Sequence, residues 1–480
     1  MTLATLVGLI GMACHPLHPE VALEQKRPNV VVIITDDQGY GDIGAHGNPV
    51  LKTPHLDRLH AQSARFTNFL VSPTCSPTRA ALLTGRHEFK NGVTHTILER
   101  ERLALSASTL PQAMREGGYT TGIFGKWHLG DENAYLPERR GFDKVCIHGA
   151  GGIGQTYPGS CGDAPGNTYT NPALWCDGAF VKETGYCTDI FFRRAMNWMA
   201  EVDGRQPFFC WIATNAPHAP LQVRPEDEAR YAGKVTAEQA KFFGMVANID
   251  DNIGRLMAFL QERNLRENTL ILFLTDNGGT AGVPVFNDGM RGAKGSVWRG
   301  GTRGCSLWSL PGRIQPGDIG TLAAHLDVAP TLMDFTCTPV PDALRNQMEG
   351  RSLTTLLRDK TAHWEPRMLV SHLGRWPAGK ADAHARRVTA IQDGRWKLVQ
   401  PLADRDGPWQ LYDLAIDPGE KKDVAKQHPE LVRAMAEHHD AWWRSVRPGL
   451  VNENFSGPAI NPFKERYWRQ FPAEKPAAGR

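Results

Sequence analysis

Four segments of the chain share one layout, a short unbroken apolar run that stops at a turn carrying polar side chains. They are NVVVIITDDQGYGD (29–42), YTTGIFGKWHLG (119–130), PFFCWIATNAPHAP (207–220) and TLILFLTDNGG (269–279). Runs of this kind, bounded by turn signals, read as strands buried on both faces. Helical patterns lie between them. The longest starts at Thr236, which forms a capping box with Gln239, and it carries Phe242, Val246, Ile249, Ile253, Leu256 and Leu260 at helical spacing. Strands alternating with helices predict an α/β fold with a large, mostly parallel sheet sandwiched by helices. Ligands of such sheets bind beyond the carboxyl ends of the strands, so all four polar turns are expected at one edge.

The pattern changes after HLDVAPTLMDF (325–335). RVTAIQDGRWKLVQP and WQLYDLAIDPGE read as antiparallel strands about an Asp393-Gly394 turn, with a closing helix over 429–446. The expected division is a leader and linker over 1–26, a catalytic domain over 27–360, and a smaller α+β domain over 361–480 that contributes to the substrate pocket. The leader MTLATLVGLIGMAC is apolar but too short to span a bilayer, and no later segment is apolar enough. It reads as an export signal for a periplasmic or secreted protein, with Cys14 a weak candidate for lipid attachment. A net charge of +3 without any Lys/Arg block excludes a nucleic-acid partner. Nine cysteines are too few for a disulfide scaffold, although Cys161, Cys176 and Cys187 offer one bridge in an exported protein. Unpaired buried thiols are the alternative.

The first and last strands end in Asp36-Asp37 and Asp276-Asn277. Three carboxylates at one sheet edge repel one another unless a cation sits among them. Their hard oxygen donors suit Ca²⁺, or alternatively Mg²⁺. Each pair taken alone also reads as turn or cap residues. Lys126 and His128 are two apart and point to one side of an extended segment, while Trp127 points into packing. His218 lies between two prolines, and Lys294 follows the Gly-rich GMRGA. Together with a metal these groups make an anion pocket with two proton-transfer groups.

SPTCSPTRAALLTGRH (72–87) places Cys75 at a helix start, with Pro77 fitting the first turn and Gly85 the stop. Arg79 lies over the same end, where free N–H groups favour an anion. Cys75 reads either as a thiolate nucleophile or as an inert core residue.

These residues resemble the type I sulfatases of the alkaline phosphatase superfamily from about Pro28 to the C-terminus. CSPTRAALLTGR is the most specific element. In that family the cysteine becomes Cα-formylglycine, so the resemblance implies that a maturation enzyme reads Cys75, Pro77 and Arg79. It also implies an alkaline phosphatase-like sheet and a metal site of Asp36, Asp37, Asp276, Asn277 and modified Cys75, typically holding Ca²⁺. Arg79 and Lys126 would hold the formylglycine hydrate, and Lys126 and Lys294 the sulfate. His218 would protonate the departing alcohol and His128 would deprotonate the hydrate, with a covalent sulfate intermediate between the two steps. GFD (141–143) and DVAPTLMDF are similar to structural segments of the family. Arg299 stands where relatives often carry glutamate, and His148 is a candidate for a further sulfate contact.

SHLGRWPAGKADAHARR (371–387) offers His372, Arg375 and Trp376 to grip a sugar and its anionic neighbours. A solvated basic surface is the other reading. The expected substrate is a carbohydrate sulfate ester, with aryl sulfates also cleaved. The rivals are a phosphate or phosphonate ester hydrolase with the same site, and a sulfated-glycan binder whose Cys75 stays a thiol.

Overall fold

The computed structural model describes residues 27–476. The expected leader and Cys14 lie outside the described residues. Five parallel strands form the centre of a ten-stranded sheet, in the spatial order Thr269–Thr275, Asn29–Thr35, Phe208–Ala213, Thr120–Lys126 and Lys144–His148. Ser306–Ser309 joins one side antiparallel, and the hairpin Ala173–Cys176 with Ala179–Lys182 extends the other. The sheet is therefore mixed and mostly parallel.

The unbroken apolar runs have a direct packing cause. Along the first strand Val30, Val32 and Ile34 enter one core, while Val31 and Ile33 enter another across the sheet. The first core is closed by Ala80, Leu82 and Leu83 of the helix Cys75–Thr84 and by the helix Val328–Phe335. The second is closed by helices Cys187–Val202 and Ala237–Glu262. Both faces are covered, so no polar alternation is possible along these strands. Each fully buried aliphatic side chain contributes about 1.5–3 kcal/mol. The long helix starts where expected: Gln239 N–H donates to Thr236 Oγ1 at 3.3 Å and Thr236 N–H to Gln239 Oε1 at 3.1 Å. Its six stripe residues are all buried.

A four-stranded antiparallel sheet, Leu369–His372, Thr389–Gln392, Trp396–Gln400 and Gln410–Asp413, forms a smaller C-terminal unit. The hairpin turns at Asp393-Gly394, where Gly394 has φ of 110°. The helix Pro429–Val446 packs Met435 against Ile391, Leu398 and Leu411. A buried pair, Lys397 Nζ and Glu420 Oε1 at 3.1 Å, ties this unit to the main one, because Glu420 Oε2 also accepts the N–H of Arg299 at 2.7 Å. Arg299 thus faces the C-terminal unit through Glu420 and Pro418.

The expected bridge among Cys161, Cys176 and Cys187 is corrected by strand pairing. Cys176 is bonded to Cys146, its register partner across an antiparallel pair with Cα atoms 4.1 Å apart. Cys161 and Cys187 are buried free thiols. Among the described residues no helix is long and apolar enough to cross a membrane.

Candidate active site

All four polar turns meet at the carboxyl edge of the sheet. Adjacent parallel strands deliver Asp36-Asp37 and Asp276-Asn277 side by side, since Thr35 pairs with Thr275. Asp37 N–H donates to Asp276 Oδ1 at 3.3 Å, and Asn277 Nδ2 donates to Asp37 Oδ1 at 3.0 Å. Cys75 opens its helix, which closes at Gly85 with φ of 67°. Proximal oxygens of Asp36 and Asp276 and Cys75 Sγ lie within 4.8 Å of one another, as do ligand atoms of Asp36, Asp37 and His218.

Three cations interleave with the three acids. Lys126 Nζ sits 2.6 Å from Asp36 Oδ2, and Lys294 Nζ sits 2.6 Å from Asp37 Oδ1. Arg79 donates from Nε and Nη2 to Asp276 Oδ2 at 3.1 and 2.8 Å, and from Nη1 to the Lys126 carbonyl at 3.4 Å. Burial pushes the Asp36 carboxyl up to about 7 against the pull of Lys126. Burial and then Asp36 push Asp276 up to about 6. Asp37 goes the other way: burial would raise it, but Lys294 and then His218 hold it well below the usual carboxylate range. The Cys75 thiol is lowered despite its burial, because Lys126 and Lys294 favour a negative charge there.

The residues fit a hard divalent cation. Asp36 Oδ1 and Asn277 Oδ1 are buried oxygens without a protein partner. Buried acceptors left unpaired are costly, and an oxygen-seeking ion satisfies both.

The two histidines approach from different loops. His128 holds a left-handed φ of 60°, its carbonyl accepts from Ser76 Oγ at 2.9 Å, and its Nδ1 lies 3.4 Å from Cys75 Sγ. Burial and then Lys126 hold the His128 ring neutral. A side chain on Gly151 would collide with that ring, its Cβ lying 2.5 Å away. Trp127 turns away, its Nε1 donating to the Tyr135 carbonyl at 3.0 Å. His218 follows a cis Ala216-Pro217 bond; its Nδ1 meets the Ala219 carbonyl at 2.6 Å, and its Nε2 lies 3.9 Å from Asp37 Oδ2.

His148 pairs in register with Lys126 on the neighbouring strand and is buried with Nε2 unpartnered. Arg375 is exposed and its Nη2 donates to Thr96 Oγ1 at 3.0 Å, which brings the C-terminal loop against the turn whose Thr96 carbonyl meets His128 Nε2 at 2.8 Å. His372 is corrected: it is 1% exposed, Nε2 meets the His384 carbonyl at 3.1 Å and Nδ1 accepts the Gly374 N–H at 2.9 Å. With both ring nitrogens used, it packs among Phe89, Trp376 and Trp442 and offers nothing to a ligand. Trp376 is buried in the same cluster with its Nε1 donating to Glu453. Arg386 and Arg387 turn to Asp440 and Asp406. Ser76 lies inside CSPTRAALLTGR at a position the signature leaves open, and Thr96 lies in no motif; Thr96 meets His128 through its backbone carbonyl, which no residue type announces.

The sulfatase family model matches residues 28–337, which include the acids, Cys75, Arg79, both lysines, His128, His148 and His218 but not Arg375. The chain belongs to the sulfatase family. A second model, N-sulphoglucosamine sulphohydrolase C-terminal, matches residues 297–441. This sulfatase is 30% identical to arylsulfatase A of Homo sapiens over 85% of this chain and 86% of that one. It is 28% identical to an N-acetylgalactosamine-6-O-sulfatase of Bacteroides thetaiotaomicron over 86% of this chain and 92% of that one. The crystal structure of Ps i-CgsB in complex with k-i-k-neocarrahexaose superposes with a TM-score of 0.75 at 26% identity, covering 94% of this chain and 98% of that one. The sulfatase described here is accordingly a sulfuric ester hydrolase with an alkaline phosphatase-like fold.

Proposed function

We propose that this sulfatase hydrolyses a sulfate monoester on a carbohydrate to the alcohol and inorganic sulfate, with Cys75 as the precursor of formylglycine. One observation carries the reading: buried Asp36, Asp37, Asp276, Asn277, Cys75, Arg79, Lys126 and His128 converge in one cluster with half-buried His218 and Lys294. The carbohydrate class is supported by the relatives, one named an N-acetylgalactosamine-6-O-sulfatase and one solved in complex with k-i-k-neocarrahexaose.

Asp36, Asp37, Asp276 and Asn277 would hold Ca²⁺ or Mg²⁺ together with residue 75, and the ion would supply Lewis-acid neutralisation of sulfate oxygens. A formylglycine hydrate at position 75 would supply one hydroxyl, its proton passing to a neighbouring carboxylate, for attack on sulfur, and a second whose deprotonation would break the carbon–oxygen bond to sulfate and re-form the aldehyde. The remaining work belongs to the side chains. Lys126 and Lys294 orient the equatorial sulfate oxygens and balance their charge. Arg79, locked on Asp276, fixes the floor beneath residue 75. His218, protonated on both ring nitrogens with its Nδ1–H held by the Ala219 carbonyl, delivers the Nε2 proton to the departing alcohol. His128, neutral with Nδ1 facing residue 75, accepts the proton of the second hydroxyl. His148 Nε2 and the Arg375 guanidinium are the further substrate contacts, at the floor and rim respectively. In this reading residues 27–360 form the catalytic domain, and residues 361–480 complete the pocket through the loop that carries Arg375. The Cys146–Cys176 bridge supports export to an oxidising compartment. A maturation enzyme that oxidises Cys75 is a protein partner in this reading.

Sulfate release from sulfated sugars and aryl sulfates, assayed beside mass spectrometry of the Cys75 peptide, tests the reading. An aldehyde at position 75 with turnover, both lost in Cys75→Ala, is expected. Faster cleavage of a matched aryl phosphate would transfer the chain to the phosphoester reading, and glycan binding without sulfate release to the binder reading.

A further inference from the structure

The turn over residues 94–100 supplies no side chain to the reaction proposed above, yet it touches the site through its backbone. His128 Nε2 meets the Thr96 carbonyl at 2.8 Å. A carbonyl only accepts, so this contact keeps the ring hydrogen on Nε2 and leaves the Nδ1 lone pair toward residue 75. His95 aims that carbonyl. Its own Nδ1 accepts the N–H of Thr96 at 2.8 Å and that of Ile97 at 3.1 Å, capping the turn as an Asx side chain would. Accepting two amides requires an unprotonated Nδ1; burial and then Arg100 pull the His95 ring down to about 3.

The C-terminal unit clamps the other side of the turn. Arg375 N–H donates to the Thr94 carbonyl at 3.3 Å and Arg375 Nη2 to Thr96 Oγ1 at 3.0 Å. Gly374 lies so close that a Cβ there would sit 1.8 Å from the Thr94 oxygen. At the far end, Glu99 Oε1 accepts the Ser160 N–H at 2.9 Å.

We propose that His95 is a positioning residue: by capping the Thr96 and Ile97 amides it fixes the Thr96 carbonyl, and that carbonyl locks His128 in its Nε2–H tautomer. The kinetic consequence rests on the reading of His128 as the base; the tautomer itself does not.

Histidine ¹⁵N NMR of the full chain with unmodified Cys75 reads the tautomer directly, with His128 assigned by its loss in His128→Asn. Wild type is expected to show a single Nε2–H form of His128. His95→Ala is expected to lose it to averaged tautomers and, in the mature enzyme, to lower kcat roughly tenfold, the worth of about one hydrogen bond, with KM unchanged. His95→Asn, whose side-chain oxygen accepts the amide two residues on, restores both. Should His95→Ala fail to fold, His95→Gln stands the same test, since its acceptor is carried one methylene further than that of Asn. An Nδ1–H tautomer in wild type, or an unchanged His128 spectrum in the folded variant, overturns the proposal. Absence of sulfate release by mature wild type would instead overturn the reading of the site, while the spectrum still decides the tautomer.

Discussion

Replacing His218 with alanine separates substrates by how badly their alcohols leave. The His218 Nδ1 faces a carbonyl at 2.6 Å, so Nε2 is the atom left to serve the pocket. The side chain is 13% exposed, enough to meet a substrate and too little for bulk water to replace it freely. A positioned proton donor contributes about 10²–10⁴-fold, or about 3–5 kcal/mol of barrier, when the leaving alkoxide is poorly stabilised. A nitrophenolate spreads its charge over the ring and needs no proton. His218→Ala is therefore expected to lower kcat/KM on a sulfated sugar by about 10²–10⁴-fold and on 4-nitrophenyl sulfate by less than about tenfold. Initial rates on the two substrates, with melting curves to verify folding, supply the comparison. Equal losses on both would refute the assignment and make His218 a structural or charge-balancing group.

Chelation of divalent ions should abolish sulfate release, and added Ca²⁺ should restore it; retained activity in metal-free buffer would count against the oxygen cluster as a metal site. Glu101 is buried with Oε1 bonded to Ser160 and Oε2 unpartnered, and burial lifts its carboxyl from 4.5 to about 7. A raised carboxyl contributes stability that is full below 4.5 and lost as pH rises through about 7, worth about 3 kcal/mol by linkage. Glu101→Gln should accordingly flatten the urea-denaturation stability between those pH values, and an unchanged slope would refute the assignment. Removing the bridge that spans 30 residues, by Cys146→Ser with Cys176→Ser, should cost about 2–4 kcal/mol in the same denaturation assay. Lys126→Ala removes the ammonium 2.6 Å from Asp36 and should abolish measurable turnover in a protein that still folds; near-normal turnover would refute its assignment to the sulfate oxygens.

The sheet was legible because strands covered on both faces must be apolar throughout, and Val30 to Ile34 obey that without exception. The acid turns were legible because parallel register puts the ends of neighbouring strands together, as Thr35 and Thr275 show. Composition misled where burial decides. His372 and Trp376 look like a sugar grip in sequence, but Phe89 and Trp442, distant in the chain, bury them. Cys146 escaped notice as a bridge partner because only the antiparallel pairing of its strand brings Cys176 opposite. The His95–Thr96 support was invisible for a different reason: it works through amide and carbonyl groups that every residue carries.

A crystal structure of the mature protein in Ca²⁺ decides whether turns far apart in the chain gather around a divalent ion at residue 75. One ion is expected, held by Asp36, Asp37, Asp276 and Asn277 at about 2.3–2.6 Å, with an oxygen of residue 75 completing the shell. An ion bound elsewhere, or these four side chains left without one at saturating Ca²⁺, would overturn that arrangement.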